Sequence, residues 1–111
     1  WVFPENDHRN YNIKGAAFDI GETFSGVNFE KGLEAVERLK NLLPTGYSLT
    51  DLALKWILMH KEVTVVIPGA KNKVQVENNL MASDKDDISE IITNINQVYD
   101  ELIRPDVEGR W

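Results

Sequence analysis

Apolar residues recur at spacings of three and four along most of the chain, and in one place they form an unbroken β-branched run. Phe29, Leu33, Val36, Leu39 and Leu43 share one helical face behind Asn28, whose short polar side chain suits an N-cap. Pro44 and Gly46 stop the pattern, so a helix is predicted from just after Asn28 to about Leu43. A second stripe, Leu49, Leu52, Ala53, Trp56, Ile57 and His60, opens on Ser48-x-x-Asp51, the spacing of a capping box. Trp56 is expected in the core. Asn72 is placed to cap a short third helix, with Gln75 at its N3 position and Val76 and Leu80 continuing to about Ala82. Ile91, Ile92, Ile95, Val98, Tyr99 and Leu102 mark a fourth helix from about Ser89 to Ile103, with Tyr99 in its core stripe. Pro105 is expected to prevent it going further.

Val63-Thr64-Val65-Val66-Ile67 has no polar alternation, which is how a parallel strand buried on both faces reads, and Pro68-Gly69 ends it. Such a strand needs neighbours on both edges, because each orphaned buried polar group costs roughly 1–3 kcal/mol. The chain offers no second strand of that kind. Helix, helix, buried strand, Gly-containing turn and helix is the order found at the end of a (β/α)8 barrel, which takes about 250 residues when whole. The predicted fold class is therefore α/β: the C-terminal part of a (β/α)8 TIM barrel, by itself mostly α-helical, with four helices and one short buried strand.

Residues 1–27 hold Pro4, Gly15, Gly21 and Gly26 and keep neither a 3.6 nor a 2 period, so they are expected to form a long loop of lid type. Trp1, Phe3, Tyr11, Phe18 and Phe24 need a surface to pack on, which lays that loop against the body. The chain opens on Trp1 inside this loop and closes on Arg110-Trp111, and so reads as a piece of something longer.

Charge and composition narrow the function classes. Twelve Lys and Arg stand against 18 Asp and Glu, a balance of −6, and the basic residues are scattered, which argues against nucleic acid and anionic membrane surfaces as partners. Any anion site must be local. With 42% hydrophobic residues over 111 positions, one core and a single domain are expected. The absence of cysteine removes disulfides and thiolate chemistry. The apolar runs are too short for a membrane span, and WVFPENDHRN has neither the basic nor the apolar region of a signal peptide. A cytoplasmic location is the expectation.

The segment from Val65 to Asn79 carries the most chemistry. A strand runs into a Gly-containing turn, the turn feeds a helix N-terminus, and Lys71 and Lys73 sit in the turn, which together suit an anion. A Pro-Gly turn after a strand is also ordinary punctuation, and spacing alone leaves both readings open.

This segment resembles the cofactor-binding signature of the aldo-keto reductase superfamily, with Ile67-Pro68-Gly69-Ala70 after the last barrel strand and a Gln75-x-x-x-Asn79 spacing on the helix beyond. Ser48 to Leu58 is similar to the family's helix before that strand, and Ile88-Ser89 to the start of its C-terminal helix. Phe3 to Arg9 and Gly21-Glu22-Thr23-Phe24 resemble the long loop after strand seven in bacterial members of the inositol-locus and general-stress type. The resemblance covers nearly the whole chain. It implies an NADP(H)-dependent oxidoreductase that passes hydride between the nicotinamide and a carbonyl or alcohol carbon of a small-molecule substrate. It also implies that Gly69, Ala70 and Lys71 meet the 2′-phosphate of the adenosine ribose, with Asn72 and Lys73 beside them. Gln75, Asn78 and Asn79 would hold the phosphate or the adenine. Many members carry arginine where Asn72 or Gln75 stands; neither arginine occurs here, which leaves Lys71 to compensate.

The family's catalytic Asp, Tyr, Lys and His come from earlier strands, and none maps onto this chain, so the piece alone is expected to be inactive. Tyr11, Tyr47, His8 and His60 are poor candidates, and two distant histidines make no metal site. Asp86-Asp87 reads as a solvated helix approach. Asp7, His8, Arg9, Arg110 and Trp111 would, by resemblance, belong to the lid and the substrate mouth. The alternative is a free-standing helical module that binds a partner or itself through the exposed edge of its lone strand.

Overall fold

The structure, a computed structural model, describes residues 4–5 and 26–110. Its first three helices begin where short polar side chains satisfy the first free N–H groups. Helix α1 (Phe29–Asn41) starts behind Asn28, whose Oδ1 accepts the N–H of Glu30 at 3.0 Å and of Lys31 at 3.2 Å. It ends two residues before the expected Leu43, whose N–H instead bonds the Lys40 carbonyl at 3.2 Å in a tightened last turn. Gly46, at φ 79°, takes the left-handed conformation that turns the chain toward the next helix.

Helix α2 (Leu49–Leu58) carries the complete capping box: Ser48 Oγ accepts the Asp51 N–H at 3.1 Å, and Asp51 Oδ2 accepts the Ser48 N–H at 2.8 Å. Helix α3 (Lys73–Met81) begins at Asn72, whose Oδ1 accepts the Gln75 N–H at 3.0 Å. A 3-10 turn (Ala82–Asp84) follows, and a second (Ser89–Ile91) leads into α4 (Ile92–Val98). A π turn (Tyr99–Ile103), α5 (Arg104–Val107) and a last 3-10 turn (Glu108–Arg110) complete the order.

The chain divides into two compact units. One comprises residues 1–39 and 94–111, with Ala35, Val98 and Val107 buried. In it Asp106 accepts the Asn28 N–H at 3.0 Å and pairs with Lys31 at 2.7 Å, while Arg38 pairs with Glu101 at 2.7 Å. The other unit, residues 40–93, buries Leu52, Leu54, Ala82 and Ile88. There Lys55 Nζ donates to the carbonyls of Ser83 at 3.0 Å and Lys85 at 2.6 Å, and the Tyr47 hydroxyl donates to the carbonyl of Asp86. These bonds fasten the chain beyond α3 onto α2.

Four expectations need correction. Residues 63–67 form no strand, and Val65 and Ile67 are 67% and 90% exposed rather than buried. A strand exists only as half of a hydrogen-bonded pair, and no other strand is present among the described residues to complete it. The C-terminal helix does not stop at Pro105. The π turn shifts the bonding, with Arg104 N–H reaching the Tyr99 carbonyl, so that Pro105 falls in the first turn of a new α segment, where its missing N–H costs nothing. Tyr99 is exposed at that turn, with the Arg104 guanidinium 5.4 Å from its ring centre. Along α2 the buried positions are Leu52 and Leu54, while Ala53 is exposed and Trp56 only half-buried against His60. The expected loop over 1–27 lies, apart from residues 4, 5, 26 and 27, outside the described residues. No described helix is long and apolar enough to cross a membrane.

Candidate functional site

The second unit holds a cavity of about 820 Å³, a volume suited to a small organic ligand. The start of α2 contributes Ser48, Thr50 and Asp51, and the far end of α3 contributes Met81 and, just beyond, Lys85. The remaining lining is Gly69, Ala70, Lys71, Gln75, Asn78 and Asn79, six of the eight residues singled out in the sequence. Of the other two, Asn72 is spent as the cap of α3 and Lys73 does not line the cavity.

The turn that presents these residues is braced by their own amides. Gln75 Oε1 accepts the Lys71 N–H at 2.6 Å, and Asn79 Nδ2 donates to the Gly69 carbonyl at 3.3 Å. Each bond uses half of a side-chain amide. Among the described residues the other halves, the Gln75 Nε2 donor and the Asn79 Oδ1 acceptor, are uncommitted, as is the whole Asn78 amide. Lys71 forms no ion pair among them, whereas Lys73 pairs with Glu77 at 3.5 Å on the surface.

The α2 side is electrostatically balanced. Burial opposes charge on Asp51, but the Ser48 N–H, the Ser48 hydroxyl and Lys85 outweigh it and hold the carboxyl below the usual range. Lys85 Nζ lies 3.6 Å from Asp51 Oδ2 and donates to the Gly46 carbonyl, with the Tyr47 ring 5.3 Å away. Burial, followed by the nearby Asp86, Asp51 and Asp87, pushes the Tyr47 hydroxyl up, so it stays protonated and donates to Asp86. Ser48, Thr50, Asp51 and Lys85 were not legible as site residues. Ser48 and Asp51 carry a capping signal and lie in the stretch that resembles the family's helix before the last strand, but nothing in linear spacing ties them to Gly69.

Among the described residues, no tyrosine or histidine lines the cavity. His60 Nδ1 sits 2.8 Å from the Trp56 carbonyl and its ring 4.4 Å from the indole, a packing role near the end of α2. Asp87 accepts the Ser89 N–H at 2.6 Å, and the Ser89 hydroxyl together with that N–H holds its carboxyl below the usual range. No group of three or more potential metal ligands occurs among the described residues. Asp7, His8, Arg9 and Trp111 lie outside the described residues. The cavity wall therefore offers hydrogen-bonding amides, hydroxyls, the free ammonium of Lys71 and the paired charges of Asp51 and Lys85, which suit binding of a polar ligand.

No curated protein and no solved structure matches the chain. The family model described as Aldo/keto reductase family matches residues 3–99, a span that contains α1, α2, α3 and every residue of the cavity wall. By that match the chain belongs to the aldo/keto reductase family, a family of oxidoreductases.

Proposed function

We propose that the chain is the C-terminal part of an NADP(H)-dependent aldo-keto reductase of the bacterial inositol-locus and general-stress type, acting in the cytoplasm. The 820 Å³ cavity is its adenosine site. When bound there, NADPH would supply the hydride for reduction of a carbonyl carbon, and NADP+ would take up the hydride in oxidation of an alcohol. Gly69, Ala70 and Lys71 hold the 2′-phosphate end, and Gln75, Asn78 and Asn79 the adenine or the phosphate. The observation that carries this reading is that one cavity gathers six residues of the predicted signature with free amide valences and an unpaired Lys71. The Asp, Tyr, Lys and His of the reaction belong to strands of the barrel outside these residues. An amide NMR titration with NADPH tests the site: shifts are expected within 69–79 and at Ser48 to Asp51, and shifts confined elsewhere would refute it. The chain is also expected to show no carbonyl-dependent NADPH oxidation, and turnover above a buffer blank would overturn the assignment of the catalytic groups.

A second reading rests on a separate observation. Val65, Ile67 and Leu80 are 67%, 90% and 68% exposed, an apolar set that a second copy of the chain would cover. Sedimentation velocity at rising concentration distinguishes a self-associating module from a monomer.

A further inference from the structure

Among the described residues, three contacts reach the Asp51 carboxylate, and all of them fall on one oxygen. Oδ2 accepts the Ser48 N–H and the Ser48 hydroxyl, each at 2.8 Å, and faces Lys85 Nζ at 3.6 Å. Capping α2 and anchoring Lys85 therefore leave Oδ1 unused. No side-chain oxygen or nitrogen sealed from solvent lacks a hydrogen bond among the described residues, so this bare oxygen is open, on a residue that lines the cavity. The carboxyl stays ionised, because burial, which opposes its charge, is outweighed by the Ser48 bonds and Lys85. An ionised carboxylate oxygen accepts hydrogen bonds and cannot donate them. It calls for a ligand N–H or O–H and repels a phosphate or carbonyl oxygen. Within one cavity Lys71 thus draws the anionic part of a ligand and Asp51 a neutral, donating part. Adenosine has such a part: the 6-amino group carries the only N–H donors of the nucleoside, on the edge of the base away from the ribose.

We propose that Asp51 reads the base of the nucleotide: its Oδ1 accepts a hydrogen bond from the 6-amino group of adenine and turns away a purine that carries a carbonyl oxygen at that position. The proposal rests on reading the cavity as the adenosine site. It gives the capping carboxylate of α2 a part in specificity that capping, served by Oδ2 alone, does not require.

The test uses adenosine 5′-monophosphate and inosine 5′-monophosphate, in which the 6-amino group is replaced by a carbonyl with a proton on N1, titrated calorimetrically into the chain. The unaltered chain is expected to bind the adenosine nucleotide about tenfold more tightly, the size of one hydrogen bond to a charged group. In Asp51→Asn the Ser48 N–H still needs an acceptor, so the amide oxygen takes the place of Oδ2 and Nδ2 that of Oδ1. A donor then faces the base, and the preference should reverse toward inosine by roughly fivefold. Equal weakening of both nucleotides by Asp51→Asn would show a purely structural role and overturn the proposal. A measurement on the unaltered chain needs no variant: the Asp51 carboxyl ¹³C resonance should move with the adenosine nucleotide and stay with inosine. Equal affinities and equal movements for the two nucleotides overturn the base reading while leaving the adenosine site intact. If neither nucleotide binds, the adenosine site fails and the base reading with it.

Discussion

Lys85 Nζ stands 3.6 Å from Asp51 Oδ2, so the carboxylate that completes the cap of α2 also anchors the chain beyond α3. One side chain thus serves a helix end, a tertiary contact and the wall of the cavity.

This arrangement makes stability depend on acid in a defined direction. The Asp51 carboxyl is lowered by folding, so its contribution is present above its unfolded value, about pH 4, and is lost as pH falls through the lower folded value. Asp51→Asn is expected to cost about 1–2 kcal/mol at pH 7, and the difference from the unaltered chain should narrow as pH drops below about 4. Urea unfolding of both proteins across pH 3–7 reads this directly; a gap independent of pH would contradict it.

Lys55 bridges α2 to the carbonyls of Ser83 and Lys85 with a single ammonium. Lys55→Met keeps the aliphatic stem and removes both bonds. Amide hydrogen exchange over 82–88 should accelerate by about tenfold or more, in line with losing charged hydrogen bonds of roughly 1.5–3 kcal/mol. The same exchange rates in both proteins would show that the bonds hold nothing.

How far the sequence reveals this structure follows from the range of each interaction. The caps at Asn28, Ser48 and Asn72 act over three residues, and all three form as expected. The residues 69–79 are likewise legible, because one turn and one helix bring them together. The strand over 63–67 was not, since the period of a chain segment says nothing about whether a partner exists to pair with it. Lys85 and Thr50 reach the cavity only through the packing of α3 on α2, and no local pattern marks such a contact.

Pro105 offers a test of sign. A proline inside a continuous helix costs about 3 kcal/mol, so its replacement would stabilise. Here it occupies a first turn that suits its fixed φ, and Pro105→Ala should instead destabilise by under about 1 kcal/mol through the freer unfolded chain. Thermal unfolding that rises by several degrees would show that the π turn does not relieve the proline.

The apolar surface over Val65, Ile67 and Leu80 is expected to bind a hydrophobic dye such as ANS. Ile67→Lys with Leu80→Lys should lower that binding sharply while leaving urea stability within about 0.5 kcal/mol, because both side chains are already in water. A large loss of stability would place these residues in a core.

The π turn over Tyr99–Ile103 also sets the phase of everything after it. Val98 and Val107, both buried, are nine positions apart, and at about 100° per residue an unbroken α-helix would put them on opposite sides. The wide turn absorbs close to one residue's rotation, which brings the two valines to within roughly a quarter turn of each other. An inserted or deleted residue between them would therefore rotate α5 out of register and carry Asp106 away from Asn28 and Lys31.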